Sequence, residues 1–91
     1  MAEQKDNESL LTFPCEFTIK VFGEMAPDFE QTIYALIHPF APTLSTGAFQ
    51  SRISENGKYL SLSITLYVHS REQLDNIYRA LTSSPKVLMA L

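Results

Sequence analysis

One thiol, two imidazoles and a scatter of carboxylates are the residues in this chain that could carry chemistry, and their spacing limits what they can do. Cys15 is the only cysteine. Nucleophilic catalysis needs a base and an orienting group in contact with the nucleophile. No sequence neighbour supplies the positive charge that activates a thiolate, and Glu16 beside it is acidic. Cys15 therefore reads as a small residue at the start of a strand. His38 precedes a proline and His69 closes an alternating segment, so each stands at the end of an element. No CxxC, HExxH or Asp-rich calcium loop is present, and the three glycines are too scattered for a phosphate loop. Asp28 with Glu30, and Glu72 with Asp75, fall where helices begin. There the positive end of the helix dipole is reason enough for an acidic side chain. The expectation is a chain that is not an enzyme and needs no metal or cofactor. Two cations, Lys20 and Arg52, are left to account for.

The elements that position those residues can be read from periodicity. Residues 1–9 are polar and charged and are expected to be a flexible tail. Leu10, Leu11 and Phe13 follow, suited to covering a sheet edge or the rim of a core. Cys15 to Phe22 alternates: Phe17, Ile19 and Val21 point one way, and Thr18, Lys20 and Phe22 the other. Gly23 is expected to end this strand. Pro27 is placed at the first helical position, with Phe29, Ile33, Leu36, Ile37 and Phe40 forming one apolar stripe. Pro39 should stop the helix near His38, and a loop should run on to Gly47.

Asn56-Gly57 is the strongest local signal, because both residues tolerate the positive φ of a type I′ hairpin turn. Centring the turn there pairs Ile53 with Leu60, Ser51 with Leu62 and Phe49 with Ile64. Leu60, Leu62, Ile64, Leu66 and Val68 then share a face with Phe49 and Ile53. Ser70 to Gln73 reads as a capping box, followed by a stripe of Leu74, Ile77, Tyr78 and Leu81. Lys86 to Leu91 is expected to be the last strand. The order is strand, helix, hairpin, helix, strand. Its compact solution is an α+β sandwich of the ferredoxin-like βαββαβ type. The sheet is antiparallel with four strands in order 4-1-3-2, and both helices lie on one face. The domain is expected to span residues 10–91.

Composition agrees with such a domain. The chain has 91 residues, 45% of them apolar, with a net charge of −3. A negative charge is the wrong sign for a free-standing nucleic-acid module. No apolar run approaches the length of a membrane span, and a lone cysteine suits a reducing compartment, so the expected location is cytoplasmic.

One sheet face is left without helices. It is expected to carry Thr18, Lys20, Phe22, Gln50, Arg52, Ser61, Ser63, Thr65 and Tyr67, of which five bear hydroxyls and two are cationic. A solvated face is one reading. A second is a contact surface for another subunit or protein, seeded by Phe22, Tyr67 and Leu88. A third is a small anionic ligand, a carboxylate or phosphate-bearing metabolite, that bridges Lys20 and Arg52 across two strand spacings, about 10 Å. RNA recognition, which stacks bases on aromatics of strands one and three, fits poorly, since Ser61, Ser63 and Thr65 occupy the centre of strand three.

Leu11-Thr12-Phe13-Pro14 leading to Phe17, Lys20 and Gly23, then Lys58-Tyr59 and Ser61-Leu62-Ser63-Ile64-Thr65, then Glu72-Gln73 and Ile77-Tyr78, follow one another in a pattern that resembles the YbeD-like family of small bacterial proteins. The resemblance implies a ferredoxin-like fold similar to ACT regulatory domains, which bind small ligands, often amino acids. It also implies a loose association with lipoate metabolism, to which no residue here speaks. In ACT domains the ligand site leans on a glycine turn after the first strand, where Gly23 stands in this sequence. The combined expectation is a non-catalytic regulatory or adaptor domain. It would act through Lys20, Phe22, Gly23, Arg52, Ser63, Thr65 and Tyr67, toward a protein partner, a second copy or a small anionic or amino-acid-like ligand.

Overall fold

The computed structural model describes residues 12–91; the expected tail and Leu10 and Leu11 lie outside the described residues. In chain order it contains β1 (Cys15–Glu24), α1 (Phe29–Ile37), 3-10 turns at His38–Phe40 and Thr46–Ala48, β2 (Phe49–Ile53), β3 (Tyr59–Val68), α2 (Arg71–Thr82) and β4 (Met89–Ala90). The strands form one antiparallel sheet ordered β2-β3-β1-β4, the expected order read from the opposite edge. Alternation sends Ile19 and Val21 of β1, and Leu60, Leu62, Ile64, Leu66 and Val68 of β3, to one side, where all are buried. Phe29, Ile33 and Ile37 of α1 and Leu74, Ile77 and Leu81 of α2 close over them. Both helices thus share one layer, and the core lies between that layer and the sheet.

The hairpin keeps the expected register through a different turn. Ile53 pairs with Leu60, Ser51 with Leu62 and Phe49 with Ile64. Only Gly57 takes a positive φ, 73°, and Asn56 does not. The Gly57 N–H donates to the Ser54 carbonyl at 2.9 Å, and the Asn56 Oδ1 accepts from the Ser54 hydroxyl at 2.9 Å and the Lys58 N–H at 3.2 Å. A four-residue loop over 55–58 replaces the two-residue turn. Both are centred between residues 56 and 57, so the pairing is unchanged.

Other boundaries move for local reasons. Gly23 does not end β1, which runs on to Glu24. Pro27 lies in the turn before α1 rather than in its first position; the Phe29 N–H donates to the Ala26 carbonyl at 3.2 Å across that turn, and Asp28 takes the cap position. Phe40 leaves the apolar stripe and is exposed, because the chain tightens to a 3-10 turn at Pro39 and rotates it away. The last strand is shorter than expected. Ser84 to Val87 forms a turn around Pro85, closed by the Val87 N–H on the Ser84 carbonyl at 3.1 Å.

Ser70 caps α2 as expected, its hydroxyl accepting the Gln73 N–H at 3.1 Å. Gln73 reaches one residue further back than a capping box requires: its Oε1 accepts from the His69 N–H at 2.6 Å. Its Nε2 donates to the Phe40 carbonyl at 2.7 Å, which ties the start of α2 to the 3-10 turn after α1.

Candidate functional site

Strand pairing arranges the helix-free face in rows. Arg52, Ser61, Phe22 and Met89 form one row across the four strands. Gln50, Ser63 and Lys20 form the next; there Lys20 and Leu91 exchange backbone bonds of 3.1 and 2.8 Å, so Leu91 extends the row. Thr65 stands opposite Thr18, their hydroxyl oxygens 3.0 Å apart, and Tyr67 opposite Glu16. Tyr59 opposite Glu24 closes the other end. Lys20, Phe22, Arg52, Ser63, Thr65 and Tyr67 therefore share one face.

The two cations do not stand side by side. Two strand spacings and a two-residue step separate Arg52 from Lys20, about 12 Å between backbones. Ser61 and Ser63 fill the space between them. Both side chains are exposed. Among the described residues neither joins an ion pair; the salt bridge there is Arg71 to Asp75 on α2, at 3.5 Å. The centre of the face is thus cationic and hydroxyl-lined, with Glu16 and Glu24 only at its ends. Arg52, Phe22, Ser61 and Tyr59 also border an open hollow of about 290 Å³ beside the hairpin.

Gly23, expected at a turn after β1, and Leu88, expected on the open face, both lie elsewhere. Gly23 is buried inside β1, and a Cβ there would run into the Phe29 ring and meet the Lys86 carbonyl oxygen at 2.7 Å. Close packing of α1 and the last connection against β1 requires the glycine. Leu88 borders a hollow shared with Phe29 and Thr32 on the helix side. Met89 and Leu91, 48% and 60% exposed, take its place on the open face. Sequence reasoning missed them because two-residue periodicity in a short strand does not say which parity faces the helices. Only the pairing of Met89 with Phe22 does.

The residues capable of chemistry stay apart. Cys15 is a half-buried free thiol opposite Val68. The His69 ring meets Tyr67 edge to face at 5.3 Å, and the His38 ring lies 5.3 Å from Tyr34. Among the described residues no cluster of His, Cys, Asp or Glu could hold a metal ion. Burial pushes the Tyr78 hydroxyl above its ordinary range. No helix among the described residues is long and apolar enough to cross a membrane.

Sheet order and the one-sided helix layer define a ferredoxin-like α+β domain. A solved structure shares it: the solution structure of protein HP0495 from H. pylori matches with a TM-score of 0.68 at 17% identity, covering 89% of this chain and 85% of that one. The chain belongs to the family described as "Protein of unknown function (DUF493)", which it matches over residues 8–91. UPF0250 protein RSc0326 of Ralstonia nicotianae is 46% identical over 84 residues, 92% of this chain and 87% of the relative. UPF0250 protein NMC1112 of Neisseria meningitidis is 42% identical over the full length of both chains. These relatives bear out the resemblance to the YbeD-like family of small bacterial proteins, and neither is named for an enzymatic activity.

Proposed function

We propose that this chain is a non-catalytic adaptor or regulatory domain whose working surface is the open face of the sheet, and that the face takes a protein partner carrying acidic groups. The observation behind this is the composition of the face centre. Among the described residues Lys20 and Arg52 are exposed, unpaired with carboxylates and separated by short hydroxyl side chains, while Phe22, Tyr67 and Met89 add apolar surface around them. Cations over a flat apolar and hydroxyl surface attract and orient an acidic partner, and the aromatics supply buried area once it docks. The rest of the face is complementary surface rather than chemistry.

Affinity capture from a bacterial lysate tests this, with Lys20→Glu/Arg52→Glu as the matched control. A protein retained by the native chain and lost with the double substitution is the expected result. Equal retention by both would contradict it.

A second reading has its own observation, the hollow beside Arg52. Arg52 lines this cavity with Phe22, Tyr59 and Glu55, and its guanidinium suits the carboxylate of a small ligand with an apolar body. Small carboxylic acids and amino acids would then raise the melting temperature of the native chain, and Arg52→Glu would abolish the shift.

A further inference from the structure

Among the described residues β2 has a single strand neighbour, β3, and its backbone geometry says what its other side offers. The Ser54 N–H donates to the Tyr59 carbonyl at 2.9 Å, so residues 54 and 59 are a hydrogen-bonded pair. In an antiparallel ladder such pairs alternate with non-bonded ones, which makes Arg52–Ser61 and Gln50–Ser63 hydrogen-bonded pairs too. Phe49, Ser51 and Ile53 occupy the other positions, so their N–H and C=O groups point away from β3. This outer edge carries neither lysine nor proline, two of the devices that discourage edge pairing. The opposite outer strand, β4, is protected by having only two residues.

Two side-chain observations converge on the same edge. Ile53 is 54% exposed, although alternation places it on the helix side of the sheet. Alongside β2 on that side lies a hollow of about 360 Å³, lined by Pro27, Glu30, Gln31 and Tyr34 of the α1 flank and by Phe49. The Tyr34 and Phe49 rings, 6.0 Å apart, form its apolar end.

We propose that β2 pairs antiparallel with β2 of a second copy about a two-fold axis at Ser51. The parity is right: residues 49, 51 and 53 all present free backbone groups, so Ser51 meets its symmetry mate and Phe49 meets Ile53 of the other copy in hydrogen-bonded pairs. That register sets the exposed isoleucine beside Phe49 and Tyr34, at the hollow of the facing chain, and does so twice. Gln50 stands opposite Arg52, so no like charges oppose one another across the ladder. The strand carries both the side chain and the hollow that receives it, which is why a second copy is the fitting occupant. The two sheets become one, and the open faces join. The inference rests on β2 and its flank and does not depend on what the open face binds.

Light scattering and amide hydrogen exchange, followed together from about 10 µM to about 1 mM, test it, the range in which a small interface saturates. The mass should rise from one chain toward two. Over the same range the amides of Phe49, Ser51 and Ile53 should become protected, while those of Gln50 and Arg52 are protected throughout. Ser51→Pro removes an N–H that β3 does not use, so the variant should fold and stay a monomer. A native chain that remains monomeric at the highest concentration, or a dimer whose three edge amides still exchange freely, would overturn the pairing. If Ser51→Pro fails to fold, the native exchange profile decides alone.

Discussion

Gly23 shows how one atom can decide a packing arrangement. Its missing Cβ lets the Phe29 ring and the Lys86 carbonyl approach β1 together. Gly23→Ala should destabilise the chain by about 1–3 kcal/mol, read as a lower urea midpoint, because the carbonyl belongs to the backbone and cannot swing aside. A midpoint unchanged by the substitution would mean that the two neighbours relax freely. Tyr78 gives a pH signature. Its folded-state pKa is raised by burial, so the folded chain keeps a proton that the unfolded chain releases above about pH 10. The resulting stability is intact below that pH and is lost as pH rises toward the folded value. Tyr78→Phe should therefore flatten part of the alkaline fall in melting temperature. At this scale the sequence marks Gly23 as special but not why. A glycine that admits an aromatic ring and one that turns a ligand loop look alike until Phe29 and Lys86 are placed around it.

Secondary-structure elements were legible wherever a period and a terminator coincided. The stripe of Leu74, Ile77 and Leu81 behind a Ser70 cap is read directly from spacing, and so is the register of β2 on β3. That register survived a wrong turn type because both turns share one centre of symmetry. The illegible parts depend on tertiary partners. The parity of β4 is set by Phe22, and the rotation of Phe40 by the 3-10 turn after α1. Gln73 links the two helical termini in a way no local pattern announces, bonding both His69 and Phe40. Gln73→Ala should cost about 1–2 kcal/mol, since it releases an N–H at the start of α2 and a carbonyl in the 3-10 turn after α1. Thermal unfolding followed by circular dichroism measures this. Gln73→Glu should recover part of the loss, because it restores the acceptor for His69 without the donor to Phe40.

For the molecule as a whole, the division into two faces is the main result. Helices and core occupy one side of the sheet, and a surface of cations, hydroxyls and a few apolar side chains occupies the other. Six of the seven residues expected at the site meet on that surface, and Gly23 is the exception, absorbed by the core. Their convergence was legible because alternation within β1, β2 and β3 is unambiguous. The two-strand separation of Lys20 and Arg52 was legible from the strand order, but their two-residue offset was not, because it needs the registers of two strand pairs at once. Lys20→Glu/Arg52→Glu should leave the melting temperature within about 2 °C of the native value, since both side chains are exposed and pair with no carboxylate among the described residues. A larger drop would assign them a structural role.

Thiol reactivity at one position of the open face, in the presence and absence of the captured partner, probes the proposed function most directly. Thr18→Cys in a Cys15→Ser background places a single reporter at the centre of β1 on that face. The account predicts labelling nearly as fast as a free thiol for the isolated chain, and strong protection once the partner is bound. Slow labelling of the isolated chain, or labelling that the bound partner leaves unchanged, would contradict it.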